Sequence, residues 1–262
     1  MLTYPNIDPV IIHIYGNLAI RWYSLAYIVG FLLCYWWLKL TSYGKTLMSN
    51  NDSDKLMSWL IIGVIIGARL FDCIFYNFFD TINNPLSIFR VWEGGMSFHG
   101  GAIGVFCVFF FFSKVYKIST LRVLDYCLII TPLALFLGRI ANFINAELYG
   151  NITYTSPFRM IFPSDYLQQP RHPSQLYEAF AEGICIFAIM FLLYKKTNLI
   201  RISGILTGIF GMLYSAARFI CEFFRRPEIG NLLGLTAGQW LSILMFILCF
   251  SFTIWRFKKV RF

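Results

Sequence analysis

Long apolar stretches dominate this chain and restrict what it can fold into. About 20 apolar residues are needed to cross a bilayer as a helix. Seven stretches reach or approach that length, at residues 18–40, 57–79, 99–116, 124–146, 174–194, 203–224 and 237–257. A soluble core can bury one such stretch, but seven in 262 residues exceed what a domain of that size buries. The pattern predicts an all-α integral membrane protein with seven transmembrane helices, in a single polytopic domain over 1–262.

The distribution of basic residues predicts how these helices are oriented. One side of a seven-helix arrangement carries most of the 22 lysines and arginines, namely Lys39, Lys45, Lys55, Lys114, Lys117, Arg122, Lys195, Lys196, Arg201, Arg256, Lys258, Lys259 and Arg261. The other side carries Arg90, Arg159, Arg171, Arg225 and Arg226. The positive-inside rule therefore places the N-terminus outside and the C-terminus in the cytoplasm. The net charge of +9 then reflects membrane topology, and we expect the basic residues to contact anionic membrane lipids. We expect no nucleic-acid partner.

Polar side chains gather toward the external ends of the helices in this orientation. They are Tyr23, Arg69, Asp72, His99, Arg139, Asn142, Glu147, Gln175, Tyr214, Arg218, Glu222 and Gln239. A transport pathway would carry polar groups through the full depth of the membrane. A one-sided cluster instead predicts a cavity open to the outer leaflet and to outer water. We expect a small extracytoplasmic loop region at 147–172, with an irregular loop at 151–171 that contacts an incoming substrate.

Three arginines within the apolar stretches need an anion. Each costs roughly 2.5–3.5 kcal/mol near a helix centre if it faces lipid. For Arg69, a structural pair with Asp72 is the favoured interpretation. For Arg139 and Arg218 we expect a lipid head group to supply the negative charge. The alternatives are an internal Arg218–Glu222 ion pair, at i and i+4, and a polar seam between helices around Arg139.

Local spacing gives four further expectations. Helical geometry places Arg139 and Asn142 on one face and turns Glu147 about 80° away. Pro173 suits the first position of the fifth helix, and Gln175, Glu178 and Glu182 then share a face. The unpaired N–H groups at this helix start form either an anion site or a plain cap. The glycines around His99 allow either another backbone or a lipid head group to approach closely, and Gly100 and Gly104 fit the small-residue pattern of close helix packing. Gly16-Asn17, between two β-prone runs, favours a small hairpin before the first helix.

Four segments resemble the signature segments of the prolipoprotein diacylglyceryl transferase family. They are "GGMSFHGGAIG" at 94–104, "GRIANFINAELYG" at 138–150, "RHPSQLYE" at 171–178 and "YSAARFICEFFRRP" at 214–227. The opening "RWYSLAYIVGF" at 21–31 is similar to the same family, and the resemblance runs from about residue 6 to residue 245 in the same order. The polar motif positions match, whereas Ala141 and Ala146 stand where the family often has glycine.

The resemblance implies a bacterial inner-membrane enzyme with seven helices. Such an enzyme transfers the diacylglyceryl group of phosphatidylglycerol to the lipobox cysteine thiol in the signal peptide of a preprolipoprotein, releasing glycerol 1-phosphate. By motif match Arg139 and Arg218 are central, and the residues lining the site are Tyr23, His99, Asn142, Glu147, Gly150 and Tyr214. We expect Gln175 and Glu222 to contribute to substrate binding.

The reaction suggests roles for these residues. We expect Arg139 and Arg218 to clamp the phosphate and His99 to remove the thiol proton. Glu147, or a thiol pKa lowered by the arginines, is an alternative to His99. The reaction needs no metal and no cofactor.

Other function classes explain the sequence less well. An anion transporter predicts an internal repeat and polar lining on both sides, and the sequence has neither. A retinal photosensor needs a lysine in its last helix, and 237–257 contains none. A structural scaffold leaves the arginines unexplained. Another outer-leaflet phospholipid head-group transferase remains the main alternative.

Overall fold

The computed structural model describes residues 1–15, 18–90, 94–226 and 233–260. These residues fall into two compact units. The first unit comprises Met1–Ile12, Ala19–Cys34 and Leu124–Phe262, and the second comprises His13–Leu18 and Tyr35–Val123. Most of the candidate site residues belong to the first unit.

Helices make up most of the described chain. The α-helices are α1 (Trp22–Leu40), α2 (Ser42–Leu47), α3 (Asn50–Phe75), α4 (Phe78–Asn83), α5 (Phe98–Tyr116), α6 (Thr120–Ile144), α7 (Ser174–Glu178), α8 (Ile186–Lys196), α9 (Ile205–Cys221) and α10 (Ala237–Val260). A π-helical turn at Ala179–Cys185 joins α7 to α8, and 3-10 turns lie at Pro85–Phe89 and Leu199–Arg201. The strands are β1 (Val10–Tyr15), β2 (Leu18–Arg21), β3 (Met160–Ile161) and β4 (Pro170–Arg171).

Six helical segments of the described chain are long and apolar enough to cross a membrane. They are Trp22–Leu40, Asn50–Phe75, His99–Tyr116, Thr120–Ile144, Ser174–Lys196 and Ala237–Lys259. The stretch expected at 203–224 contains instead a shorter apolar helix, Ile205–Cys221. The protein is therefore a multi-pass, largely helical membrane protein.

The hairpin expected before the first helix is confirmed, since β1 and β2 form a two-stranded sheet. Its turn, Gly16-Asn17, lies outside the described residues. The sheet leads directly into α1, which places Tyr23 in the first turn of that helix.

Close glycine contacts pack α3 against α5 in the second unit. A Cβ atom on Gly100 would lie 2.2 Å from the carbonyl oxygen of Gly67, and one on Gly104 would lie 2.0 Å from that of Gly63. Both helices therefore carry small residues four apart at their contact. The expectation for Gly100 and Gly104 is confirmed.

In the first unit, α9 is anchored at its start and along its length. The buried Asp125 carboxylate of α6 accepts hydrogen bonds from the backbone N–H of Gly204 and, at 2.7 Å, from that of Thr207. These are N–H groups that a helix start leaves unpaired, so α6 caps α9. Farther along, Gly208 packs against the Thr253 side chain of α10. These contacts fix the position of α9 and hence of Arg218.

Residues 147–172 are more ordered than the irregular loop expected for 151–171. β3 and β4 pair antiparallel, with Met160 opposite Arg171. Met160 of β3 belongs to a small buried core with Phe143, Ala146 and Phe162, against which Tyr4, Tyr149 and Leu176 pack. The sequence missed this order because β3 and β4 are only two residues long each.

Candidate active site

Arg139, near the end of α6, contacts two buried glutamates of the helix that begins at Ser174. Its Nη1 lies 2.8 Å from Glu178 Oε2. Its Nε and Nη2 donate to Glu182 Oε2 at 3.2 and 3.0 Å. Both glutamates are buried, and a carboxylate in such a place requires a cation beside it.

Arg218, near the end of α9, meets the same glutamates from the other side. Its Nη1 donates to Glu178 Oε1 at 3.0 Å and lies 3.8 Å from Glu182 Oε1. Its Nη2 lies 2.8 Å from Glu222 Oε2, one turn later on the chain. Glu222 also accepts a hydrogen bond from Thr236 Oγ1 at 3.1 Å. Glu178 is therefore shared by the two arginines.

Together these groups form what we call the Arg–Glu network. Its members are Arg139, Arg218, Arg225, Glu178, Glu182 and Glu222, since Arg225 Nη1 lies 3.5 Å from Glu178 Oε1. The formal charges of these three arginines and three glutamates cancel. The expectation that a lipid head group neutralises Arg139 and Arg218 is therefore wrong, because carboxylates of the protein do so. The alternative Arg218–Glu222 pair is confirmed at 2.8 Å.

The π-helical turn places the glutamates. Glu178 ends α7 and Glu182 lies within the turn. A Cβ atom on Gly183 would lie 2.6 Å from Phe136 Cβ, so the turn and α6 approach closely at this glycine. Isolated π-helical turns occur frequently at functional sites. Tyr214, one turn before Arg218, lies close enough to both arginines to interact with their charge.

Glu147 lies near Asn142 rather than on a different face of α6. The helix ends at Ile144, and Ala146 and Leu148 have positive φ angles of 53° and 57°. The chain therefore folds back, and Asn142 Nδ2 donates to Glu147 Oε1 at 2.8 Å. The same nitrogen donates to the Tyr23 hydroxyl at 2.6 Å. The expected 80° separation is wrong because it extended helical geometry beyond the end of the helix.

Three side chains hold this fold-back turn through successive carbonyl oxygens. Ser164 Oγ donates to the carbonyl of Ala146. Gln175 Nε2 donates to that of Glu147 at 2.6 Å, and Ser174 Oγ to that of Leu148 at 2.9 Å. Gln175 thus supports the turn that carries Glu147.

The start of α7 differs slightly from the expected one. Pro173, expected as the first helical residue, instead lies one position earlier, at the cap. The φ of −75° at Pro173 suits either position, but its ψ of 67° is not helical. The helix therefore begins at Ser174.

Gly150 allows the loop region to reach the end of α9. Gly150 forms an antiparallel bridge with Arg225, and the Asn151 N–H donates to the Phe224 carbonyl at 2.9 Å. A Cβ atom on Gly150 would lie 2.2 Å from that carbonyl oxygen. Any side chain here would therefore displace the segment that carries Arg225.

An adjacent ion pair stabilises the loop region. Arg171 Nε and Nη2 donate to Asp165 at 2.7 and 2.9 Å, and both side chains are buried. The guanidinium holds the pKa of Asp165 well below its usual range, at about 2. Burial lowers the pKa of the neighbouring His172, whose Nδ1 lies 3.2 Å from the Tyr177 hydroxyl.

A cavity of about 490 Å³ opens beside the fold-back turn. Its lining comprises Ala146, Glu147, Leu148, Tyr149, Ser164, Arg225 and Arg226. Because Arg225 also contacts Glu178, the cavity adjoins the Arg–Glu network.

In the second unit, Arg69 is held by backbone oxygens. It donates to the carbonyls of Ser87, Ile88 (3.1 Å), Gly94 (2.6 Å) and Gly95 (3.0 Å). Asp72 lies at 4.0 Å, the limit of an ion pair. The structural interpretation of Arg69 is confirmed, with carbonyl groups as its main partners.

His99 lies in the first turn of α5, with an exposed side chain stacked on Phe71 at 6.1 Å between ring centroids. It belongs to the second unit, whereas the Arg–Glu network belongs to the first. Its role as the thiol base remains a prediction.

Comparison with known sequences assigns the chain to a family. The sequence model of the family described as prolipoprotein diacylglyceryl transferase matches residues 9–255. The chain belongs to the prolipoprotein diacylglyceryl transferase family. A phosphatidylglycerol–prolipoprotein diacylglyceryl transferase of Ehrlichia ruminantium is 46% identical over 247 residues, covering 93% of this chain and 94% of the relative. Proteins of the same name from Idiomarina loihiensis and Neisseria meningitidis are 45% identical over 248 residues (94% and 91% covered) and 42% identical over 273 residues (95% of each).

Among the residues expected from the prolipoprotein diacylglyceryl transferase motifs, most meet in the first unit. Tyr23, Asn142 and Glu147 form one hydrogen-bonded chain. Arg139, Arg218 and Glu222 belong to the Arg–Glu network, with Tyr214 beside it. Gly150 and Gln175 position neighbouring backbone.

Sequence reasoning missed the part played by Glu178 and Glu182. The signal was present, since both glutamates share a helix face with Gln175 and can balance arginines placed in apolar helices. The sequence did not reveal which arginine meets which glutamate, because the arginines lie about 40 residues away in the chain on two other helices.

Proposed function

We propose that the protein transfers the diacylglyceryl group of phosphatidylglycerol to the lipobox cysteine thiol of a prolipoprotein, releasing glycerol 1-phosphate. Membership of the transferase family supports this reaction, as do relatives with that name at 42–46% identity. The observation that carries the site assignment is the meeting of Arg139 and Arg218 in one network. Family membership does not favour another head-group transferase or an anion transporter.

The chemistry explains why guanidinium groups suit this site. The cysteine thiolate attacks a glycerol carbon, a sulfur–carbon bond forms, and the carbon–oxygen bond to phosphate breaks. The phosphate changes from a singly charged diester to a monoester with a further negative charge. The thiol proton passes to a base and then to water or the released phosphate. Donors that bind the phosphate more strongly as its charge grows lower the barrier.

Arg139 and Arg218 are the proposed phosphate donors. Each guanidinium has five N–H donors. In the described part of the chain, Arg218 makes one hydrogen bond of good geometry, to Glu178, and Arg139 makes two, to Glu182. Both side chains remain 18% exposed. Donors are thus left over for a phosphate oxygen while the glutamates hold the arginines in place.

Removal of the thiol proton is assigned to His99, with Glu147 as the alternative. A free thiol has a pKa of about 8.5, so a base is needed near neutral pH. The two candidates differ in what they predict. If His99 is the base, His99→Gln lowers kcat at least about 100-fold, whereas Glu147→Gln acts mainly on KM.

The remaining site residues are proposed to bind and orient the substrates. Tyr23, Asn142 and Glu147 form a chain of polar groups at the end of α6, and Tyr214 lies beside the arginines. Glu222 holds Arg218 at 2.8 Å. Gly150 packs against the backbone next to Arg225, and Gln175 donates to the backbone carbonyl of Glu147. Both residues therefore contribute indirectly, by positioning these segments.

We place the protein in the bacterial inner membrane, with the N-terminus outside and the C-terminus in the cytoplasm. Most lysines and arginines lie at the helix ends on the same side as the C-terminus, which supports this orientation. A helix of 17 residues is about 25 Å long, so Ile205–Cys221 nearly spans the hydrocarbon region and counts as the seventh crossing. The network and its cavity then face the outside, where membrane lipids and the signal peptide with its lipobox enter from the bilayer.

The test is an in vitro transfer assay. Purified protein is incubated with phosphatidylglycerol labelled in its acyl chains and with a lipobox peptide, and label bound to sulfur is measured. Arg139→Gln and Arg218→Gln should each lower the rate at least about 100-fold, the loss typical of a removed transition-state donor. Arg201→Gln, an exposed change at the opposite helix end, is the matched control. Wild-type turnover in either glutamine variant would discard the site assignment.

A further inference from the structure

Two charged groups in the cavity beside the fold-back turn have unused bonding capacity. Glu147 Oε1 accepts from Asn142 at 2.8 Å and from Asn145 at 3.4 Å. Within the described chain, Glu147 Oε2 has no hydrogen-bond partner, and Arg226, which is exposed, has neither a hydrogen bond nor an ion pair. Glu147 and Arg226 therefore line the same cavity, and within the described residues each has a charged group with bonding capacity to spare.

This pair of groups defines the chemistry of a ligand. The guanidinium of Arg226 suits phosphate oxygens. The carboxylate of Glu147 repels an anion but accepts hydrogen bonds from hydroxyl groups. A small molecule with a phosphate at one end and uncharged hydroxyl donors at the other satisfies both. In inorganic phosphate the O–H donors belong to the same anion that Glu147 repels. A volume of about 490 Å³ lies within the range of small-molecule sites.

We propose that this cavity binds the glycerol phosphate head group of the lipid substrate and releases it as the soluble product, an inference that rests on the proposed function. Arg226 contacts the phosphate, and Glu147 Oε2 accepts a hydrogen bond from a glycerol hydroxyl. This role leaves the removal of the thiol proton to His99.

The position of the cavity fits the fate of the head group. Arg225 lines the cavity, and its Nη1 lies 3.5 Å from Glu178 Oε1. The cavity and the Arg–Glu network therefore share this residue. When the carbon–oxygen bond breaks, the diacylglyceryl group stays with the membrane, whereas glycerol phosphate becomes soluble in water. A cavity with charged side chains in its lining, next to the network, gives that product a binding site.

Product inhibition tests the assignment. The transfer rate of the full-length protein is measured with increasing glycerol 1-phosphate, and separately with inorganic phosphate, at several concentrations of phosphatidylglycerol. We expect glycerol 1-phosphate to inhibit the wild-type protein at lower concentration than inorganic phosphate. Arg226→Gln should raise the inhibition constant for glycerol 1-phosphate about tenfold or more, as for a lost charge-assisted hydrogen bond, and should raise KM for the lipid more than it lowers kcat.

Controls separate the subsite from the rest of the account. Arg159→Gln changes an arginine of the same loop region that does not line the cavity, and it should leave the inhibition constant unchanged. Arg226→Lys keeps the charge, and its inhibition constant for glycerol 1-phosphate should lie between those of wild type and Arg226→Gln. This variant keeps the test valid if the glutamine variant is poorly folded. Equal inhibition of Arg226→Gln and wild type, or no preference for glycerol 1-phosphate over phosphate, would overturn the proposal. A wild-type protein that does not lipidate the peptide would instead refute the proposed function.

Discussion

Two sets of arginines in the first unit, one buried and one partly exposed, use their carboxylate partners differently. Arg171 is 4% exposed, makes two hydrogen bonds to Asp165 and one to the Gly150 carbonyl, and lies over the Tyr149 ring. Arg218 is 18% exposed and makes one hydrogen bond of good geometry, to a glutamate that it shares with Arg139. The first arrangement is closed and serves the fold. The second is balanced in charge but leaves donors for a substrate.

The acceptors show the same contrast. Both oxygens of Asp165 accept hydrogen bonds from Arg171. In the network, Glu178 Oε2, Glu182 Oε1 and Glu222 Oε2 are buried and lack a hydrogen-bond partner within the described residues, although arginine nitrogens lie 2.8 to 3.8 Å away. Charge rather than directional bonding holds these oxygens.

The largest expected effect on stability comes from breaking the closed pair. Asp165→Asn leaves the buried Arg171 cation without a counter-charge and should lower the free energy of unfolding by about 3–5 kcal/mol. Thermal unfolding in detergent measures this loss. The double variant Asp165→Leu with Arg171→Met, which removes both charges, should recover a large part of it. A loss below about 1 kcal/mol in Asp165→Asn would show that the pair is not closed.

Acid should weaken the same pair in a defined direction. Because the folded-state pKa of Asp165 is about 2, below its ordinary value near 4, the folded protein keeps the charged form more strongly than the unfolded chain. The contribution is therefore complete above about pH 4 and is lost as the pH falls toward 2. Unfolding temperatures between pH 5 and 2 should fall more steeply in wild type than in Asp165→Asn. Parallel curves would contradict the assignment.

The smallest effect is expected from the N-terminal contact that completes this closed region. The Tyr4 hydroxyl lies 2.8 and 2.9 Å from the carbonyls of Phe143 and Ile144, at the end of α6, while its ring packs on Phe162. Tyr4→Phe keeps the ring and removes the hydroxyl, so it should cost about 1 kcal/mol of stability. Tyr4→Ala, which also removes the packing, should cost clearly more. Equal losses would mean that the hydroxyl carries the whole contribution.

The sequence predicted features that depend on one helix or on local spacing. Six apolar segments, the hairpin before α1 and the glycine packing of α3 on α5 all follow from composition and periodicity. Ala146 takes a positive φ of 53°, a conformation that glycine adopts more easily and that the sequence did not reveal.

Features that depend on a reversal of the chain, or on contacts between side chains of different helices, could not be predicted from the sequence. Glu147 folds back because the helix ends at Ile144, and no helical periodicity applies beyond that point. The partners of Arg139 and Arg218 come from a π-helical turn whose i to i+5 hydrogen bonds have no recognised sequence pattern. The buried charges were visible, but which charge meets which depends on the packing of three helices.

The central claim is that Arg139 acts on the substrate and that Glu182 holds it in place. The most direct test compares Arg139→Gln with the double variant Arg139→Gln, Glu182→Gln, measuring both unfolding temperature and transfer to the lipobox peptide. The single variant leaves Glu182 buried without its partner and should be unstable and inactive. The double variant should recover stability, because the charges balance again, and remain inactive. Recovery of transfer together with stability would show that the arginine serves only the fold.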